Sequence, residues 1–410
     1  MWKWSGRMGA CPQGLKAALL SALLPALLGP AVFAQPDLQI DSLPVAEISP
    51  ILVAAVGDVM LSSWVEPVMA EKGPLYPFLG TLPYLQHADV AIANLEAPFA
   101  RSGTPFEKRF NFKVAPRYAV GLRQAGIDVV NLANNHILDF GEEALRTTLH
   151  TLDSLGVAHC GAGESLKAAH QPVVIERGGR KIALFGYSMT FPTEFYARDD
   201  SAGTAYPEPE MMQSALAAWD KKVDFIVVSF HWGAEKRETP KDYQIFFAHL
   251  AIDSGADLVL GHHPHVLQGL EIYRGRLIAY SLGNFAFGSY SQYAVDSIIL
   301  RVYLHDGGLL FARCVPINVN NAEVEFQPQV LTGEAKRRVI SKLQRLSSPL
   351  NPERAILADD GLILGDWAPI PEQQLLTAAL STFWNPTLAG EVGAALQKLR
   401  AGVDKYGSAH

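Results

Sequence analysis

Six side chains in this 410-residue chain are of the types that bind divalent metals of the zinc, iron or manganese class: Asp58, Glu96, Asn135, His231, His263 and His265. A cation held by such donors polarises a phosphoryl or acyl oxygen and activates water near neutral pH. Taken singly, none of the six is informative. A strand-end Asp is often a cap. An Asn beside a His is often a turn. A lone His is more often a hydrogen-bonded structural residue than a ligand. Their common setting is what points to a shared polar site, because each follows a short apolar run.

The segment Gly261-His262-His263-Pro264-His265 is the most specific. Three imidazoles in four positions are costly to bury without partners, and Pro264 restrains the backbone between two of them. A His-x-His pair on a loop either directs both rings into one coordination sphere or gives one ring to each of two metals. A surface histidine loop is the bland alternative.

The elements that must position these residues are legible as apolar runs ending in polar residues. Ile51 to Val56 leads to Gly57-Asp58, Val90 to Ala93 to Asn94-Leu95-Glu96, and Val129 to Ala133 to Asn134-Asn135-His136. Ile182 to Phe185 leads to Gly186, Phe225 to Phe230 to His231, Leu258 to Leu260 to Gly261, and Leu277 to Tyr280 to Ser281-Leu282-Gly283-Asn284. Continuous rather than alternating apolar runs suit strands buried on both faces. Helical stretches fall between them at Pro116 to Ala125, at Glu142 to Leu155 with Gly156 as terminator, and at Thr239 to Ser254 with Thr239 as N-cap. Alternation of strand and helix gives an α/β architecture, with ligands expected at the carboxyl edge of the strands. After Asn284 the pattern changes. Ser297 to Leu304 and Leu309 to Val315 read as a hairpin around His305-Asp306-Gly307-Gly308, Glu323 to Leu331 as a further strand, and 334–346, 371–383 and 388–402 as helices.

Composition bounds the rest. With 49% hydrophobic and 18% charged residues, the chain is globular rather than disordered. A net charge of −7 and the lack of any lysine or arginine block exclude nucleic acid as an expected partner. Residues 1–34 read as a cleavable signal peptide, with Lys3, Arg7 and Lys16 around the apolar run Ala17 to Leu28 and a small-residue site at Ala34. The expected location is therefore periplasmic or otherwise extracytoplasmic, membrane-anchored if the segment is uncleaved. Residues 35–50 read as a linker, 51–320 as the core domain and 321–410 as a C-terminal extension. Cys160 and Cys314 are expected as separate buried thiols, although an oxidising compartment permits a disulfide.

The segments GDVML (57–61), NLE (94–96), NFK (111–113), NNHILDFG (134–141), HWGAE (231–235), GHHPH (261–265) and YSLGNFAFG (280–288) together resemble the CapA family of capsule-synthesis proteins. That family is associated with poly-gamma-glutamate production and lies within the calcineurin-like metallophosphatase superfamily. The resemblance implies a four-layer α/β/β/α sandwich of two mixed sheets, followed here by a mainly helical C-terminal extension. It implies Asp58 as first ligand, Glu96 where an aspartate commonly bridges two metals, Asn135 and His231 as ligands, and His263 with His265 as the closing pair. Met60 stands where the usual Asp-x-His supplies histidine, which allows one ion or a tight and a weak pair. His136 matches a proton donor, with Asp139 to orient it. Asn94, Glu235, His262 and Asn284 are expected to meet substrate, with Tyr280 and Ser281 as site walls and Arg109 and Lys113 as possible contacts for an anion. Trp232 is expected as packing.

Three functions follow. The first is an exported factor of capsule or poly-gamma-glutamate synthesis, handling an anionic polymer beside membrane-bound synthesis machinery, with hydrolase or transferase chemistry. The second is a periplasmic metallophosphoesterase. The third is a polymer-binding module whose metal is structural.

Overall fold

The computed structural model describes residues 50–305 and 308–365. The signal segment, residues 35–49 of the linker, the two tip residues of the hairpin and the helices expected at 371–383 and 388–402 lie outside the described residues. Among the described residues, no helix is long and apolar enough to cross a membrane.

In chain order the principal strands are β1 (Ile51–Met60), β2 (Val90–Leu95), β3 (Val129–Asn131), β4 (Ala158–Cys160), β5 (Val173–Arg177), β6 (Arg180–Ser188), β7 (Phe225–His231), β8 (Leu258–His262), β9 (Leu270–Tyr273) and β10 (Arg276–Ala279). They continue with β11 (Asn284–Phe287), β12 (Asp296–His305), β13 (Gly308–Asn318), β14 (Gln329–Val330) and β15 (Leu362–Leu364). The principal helices are α1 (Val65–Lys72), α2 (Val120–Ala125), α3 (Gly141–Leu155), α4 (Pro209–Trp219), α5 (Asp242–Asp253) and α6 (Gly333–Ser347).

Both large sheets are mixed. The first runs β14-β13-β12-β1-β2-β3-β4, with β11 also on β1 and β15 on β13. The second runs β9-β10-β8-β7-β6-β5. In the first, β1 to β4 run parallel and β12, β13 and β14 continue antiparallel from β1; in the second, the four central strands are parallel and the two outer pairs antiparallel. All ten residues of β1 are buried, as its unbroken apolar run requires. Side chains such as Val53, Ile92, Leu184, Val227 and Leu260 fill the space between the sheets. Ala93, Leu122, Leu145 and Leu152 join α2 and α3 to the outer face of the first sheet. Phe185, Phe230, Leu216 and Ala251 join α4 and α5 to the outer face of the second. The layers are therefore α/β/β/α, as expected.

Local differences have local causes. Helix α5 starts at Asp242 rather than after Thr239, because Lys241 is the N-cap and its amide donates to the Gln244 side chain at 2.9 Å. The strand expected at Glu323 to Leu331 shrinks to Gln329–Val330. Asn320 caps a short helix at Asn321–Val324, and Glu325 and Phe326 then take left-handed backbone, with Phe326 buried. The hairpin β12–β13 and helix α3, with Gly156 left-handed at its end, form as expected. Cys160 and Cys314 are free and buried. Trp232 is buried, with its indole N–H donating to the Tyr280 carbonyl at 2.9 Å.

One close approach sets the floor of the site. A Cβ at Gly57 would lie 1.9 Å from the Gly283 carbonyl oxygen, the same oxygen that accepts from the Asp58 amide at 3.0 Å. Backbone cannot give way as a side-chain tip can. Gly57→Ala should therefore lose about 3 kcal/mol or more of stability, measured by urea denaturation. An unchanged midpoint would mean that the β1–β11 contact yields.

Candidate metal centre

The chemistry-bearing residues sit where strands end. β1 carries Asp58 and β2 carries Asn94, with Glu96 one residue beyond β2. The turn after β3 carries Asn134, Asn135 and His136. β7 ends in His231, β8 ends in His262, and β11 begins at Asn284. Parallel register places Asp58 beside Asn94, Asn94 beside Asn131, and His231 beside His262. The carboxyl edges of both sheets thus contribute to one place, the position where α/β sheets bind ligands.

The six expected donors converge. Asp58 Oδ2 lies 3.2 Å from His265 Nδ1 and accepts from the His263 amide at 3.2 Å. Glu96 Oε1 lies 3.6 Å from His231 Nε2 and 3.7 Å from His265 Nε2. Asn135 Oδ1 lies 2.7 Å from His231 Nε2. The His263 ring centre is 4.8 Å from that of His231 and 5.8 Å from that of His265. Two triads, Glu96–His263–His265 and Asp58–Glu96–His231, have ligand atoms all within 4.8 Å of one another, and Glu96 belongs to both.

The backbone is held against its preference to achieve this. His263 and His265 have φ of 92° and 60°, a region that non-glycine residues seldom occupy. Such positions persist where surrounding structure fixes them, and they cluster at functional sites. Here Asp58 takes the His263 amide, and the Lys236 amide donates to the Pro264 carbonyl at 2.8 Å.

Buried polar atoms test whether a cation fits. Glu96 Oε1 and His263 Nδ1 are buried and have no hydrogen-bond partner, a costly state for a carboxylate oxygen and an imidazole. Burial and the neighbouring Asp58 carboxylate push Glu96 well above the usual carboxylate range. Burial opposes ionisation of Asp58, but His262 and His265 outweigh it and hold Asp58 well below that range. Burial likewise opposes charge on His265, yet Glu96 and Asp58 raise it to about 10. Burial and the charge of His265 take His263 down to about 3, and burial with His263 keeps His231 well below 6.5. Two buried carboxylates beside the neutral imidazoles of His231 and His263, with unpartnered atoms on Glu96 and His263 and a proton on His265 for a cation to displace, are what a divalent cation needs.

Met60 is buried in the apolar cluster on the outer side of the first sheet. His262, expected at the substrate surface, is instead fully buried with Nδ1 3.5 Å from Asp58 Oδ1. Asn94, also expected to meet substrate, is fully buried too. Its amide donates to Asp58 Oδ1 at 2.8 Å and lies 3.3 Å from His231 Nδ1, so its contacts are with two of the expected donors. Tyr280 is not a wall of the site, since its hydroxyl donates to Glu271 at 2.7 Å in the packing of the second sheet. Ser281 donates to the Val266 carbonyl. Asn284 does reach the site, with Oδ1 2.9 Å from His265 Nδ1. Arg109 and Lys113 stand over the rings of Phe110 and Phe140.

His136 Nδ1 lies 2.8 Å from Asp139 Oδ2, which leaves Nε2 as the nitrogen available to a ligand. Asp139 Oδ2 also accepts from the Phe112 amide at 2.6 Å, and Oδ1 lies 2.5 Å from Lys108 Nζ. Lys108 further donates to the Asn135 carbonyl and lies 3.2 Å from His136 Nδ1. Burial lowers the pKa of Lys108, with Asp139 acting against it. No spacing in the sequence singles out Lys108 from its neighbours Arg109 and Lys113; the fold of residues 101–115 over the NNHILD segment does. Asn134 was the other omission. It donates to the Leu95 carbonyl at 2.8 Å and accepts from the His136 amide at 3.1 Å, a role at which the doubled asparagine hints.

Two cavities open on the cluster. Asn135 and His263 line one of about 1030 Å³, His136, His265 and Asn284 line one of about 420 Å³, and Glu235 lines both.

Comparison with known proteins places this arrangement. The capsule biosynthesis protein CapA of Bacillus anthracis is 30% identical over 302 residues, covering 72% of each chain. The PGA biosynthesis protein CapA of Bacillus subtilis (strain 168) is 31% identical over 270 residues, covering 65% of this chain and 71% of that one. A 5'-nucleotidase precursor from Thermus thermophilus superposes with a TM-score of 0.41 at 14% identity, over 70% of this chain and 55% of that chain. Residues 52–289, which carry every donor described above, match the family described as bacterial capsule synthesis protein PGA_cap, and the chain belongs to that family.

Proposed function

We propose that this chain is an exported, divalent-metal-dependent protein of capsule or poly-gamma-glutamate synthesis, acting on an anionic polymer beside membrane-bound synthesis machinery. The observation that carries the metal is the orphaned Oε1 of Glu96, set among His231, His263 and His265. Glu96, His263 and His265 would hold one ion, and Asp58, Glu96 and His231, with Asn135 beside His231, a second; Mn, Fe or Zn suits this donor set. When bound, the cation supplies Lewis-acid charge to a phosphoryl or acyl oxygen. The polymer role rests on family membership and on the names of its relatives.

The remaining groups have tasks the geometry supports. Asn94 orients Asp58 and His231. Asp139 holds His136 by Nδ1, so that Nε2 carries the proton exchanged with substrate. Glu235 and Asn284 line the cavities where substrate would lie. The His136–Asp139 pair also favours a second reading, phosphoester hydrolysis, because a leaving alkoxide needs a proton donor whereas a structural metal does not. Metal analysis of the purified chain, followed by a screen of gamma-glutamyl and phosphoester substrates, tests both readings. His136→Ala should keep wild-type metal content and lose about a hundredfold or more of any turnover found. Metal loss in that variant would move His136 into the ligand set.

A further inference from the structure

The two cavities repeat one pairing of chemistries. In the larger, Lys241 Nζ lies 5.9 Å from the Tyr243 ring centre, and Tyr196 and Tyr206 share the wall. In the smaller, Lys236 Nζ lies 5.0 Å from the Tyr293 ring centre, and Tyr290 shares the wall. Exposed apolar side chains gather in the same places. Nine large hydrophobic side chains are exposed among the described residues, and five of them line these cavities: Phe191 and Met211 the larger, Phe110, Tyr290 and Tyr293 the smaller. Exposed apolar groups concentrated around a polar cleft mark a binding surface.

The donor cluster lies between the two cavities, since its residues line both. Glu235 sits at the junction, and the next residue, Lys236, has left-handed backbone at φ 64° and is tied to Pro264. A compact ester would fill one cavity and make no use of the other. The Glu235 carboxylate disfavours an anionic group at the junction itself, which leaves Lys236 and Lys241 to receive anionic groups on either side. Repetition in the walls implies repetition in the ligand.

We propose that the ligand is a linear chain bearing anionic groups on apolar spacers, that it crosses the metal centre with one arm in each cavity, and that it presents an internal bond to the centre. This rests on the metal-centre reading above but not on gamma-glutamate as the repeating unit.

The test is binding rather than turnover. The full chain loaded with Mn2+, its metal content measured on the same sample, is titrated by fluorescence anisotropy. The probes are end-labelled gamma-glutamate oligomers and, separately, glycerol phosphate oligomers of increasing length. Affinity should tighten about tenfold or more with length and then level once both cavities are filled. Lys236→Gln and Lys241→Gln should each weaken the longest oligomer about threefold or more, with effects that multiply because they act on separate arms. Length dependence confined to glycerol phosphate would keep the two-arm site and remove gamma-glutamate. Length dependence in a sample that holds no Mn2+ would keep the two arms and remove the metal reading. Equal affinity for short and long oligomers in both series, or an effect at only one of the two lysines, would overturn the proposal.

Discussion

Glu96→Gln protein should bind divalent metal more than about a hundredfold more weakly than wild type, since changes to residues that merely support ligands already cost 10–100-fold. Glu96 is the donor common to both triads, so its loss removes a ligand from each ion at once. His265→Ala, which touches Asp58 and Glu96 from one side, should lower metal content less. The same Glu96 change should leave the metal-free protein as stable as before or more so. Burial and Asp58 push the Glu96 carboxyl upward, so its ionised form is disfavoured in the fold, and an amide of equal shape removes that burden. Loss of metal with no loss of folding stability is an uncommon pair of outcomes, checked by metal titration and thermal unfolding in chelator. Wild-type stoichiometry in Glu96→Gln would remove it from the ligand set. The pH dependence has a definite sign. His265, raised to about 10, holds a proton in the metal-free site that a cation must displace, so apparent affinity should rise as pH increases toward that value.

The strands were legible because each is an unbroken apolar run closed by a polar residue, and the fold places those closing residues at one edge. Asp58, Glu96 and His231 could be found this way because their order along the chain maps directly onto strand ends. Depth within the cluster was not legible. Asn94 and His262 share the strand-end signature with their neighbours, and register sets them beside Asp58 and His231, yet both are fully buried against the Asp58 carboxylate. The start of α5 escaped because Lys241 is an atypical N-cap whose amide is satisfied from Gln244, a reciprocal contact that cap preferences do not weigh. Between 321 and 331 the apolar spacing suited a strand, but burial of Phe326 through two left-handed residues decided otherwise. Lys108 lies in a segment without regular structure, and its role exists only because that segment folds back over His136.

That fold-back supplies a second large expected effect on stability. Asp139 is fully buried and faces the Lys108 ammonium, the His136 ring and the Phe112 amide. Asp139→Ala leaves the Lys108 ammonium without its carboxylate, beside the Asn135 carbonyl, the His136 ring and the face of Phe195. Breaking a buried pair by removing one partner costs about 3–5 kcal/mol, and the partial exposure of the Lys108 side chain, 18%, places the expected loss near the lower end. Lys108→Met removes the ammonium that faces the Phe195 ring but keeps an apolar side chain of similar length, and should cost less, since the Asp139 carboxylate retains the Phe112 amide. The double variant then decides what holds the segment down. If the ion pair is the clasp, Asp139→Ala with Lys108→Met should be more stable than the sum of the two single losses predicts, because no unpaired ammonium remains. Additive losses in urea denaturation would mean that residues 101–115 are held by contacts other than the ion pair, such as Phe106 against Phe195, the Phe106 amide on the Asp139 carbonyl and Ser62 on the Lys113 carbonyl. Hydrogen exchange at residues 134–139 in the same variants links this to the site. Faster exchange there would show that the clasp sets the orientation of Asn135 and His136, whereas unchanged exchange would confine it to stability.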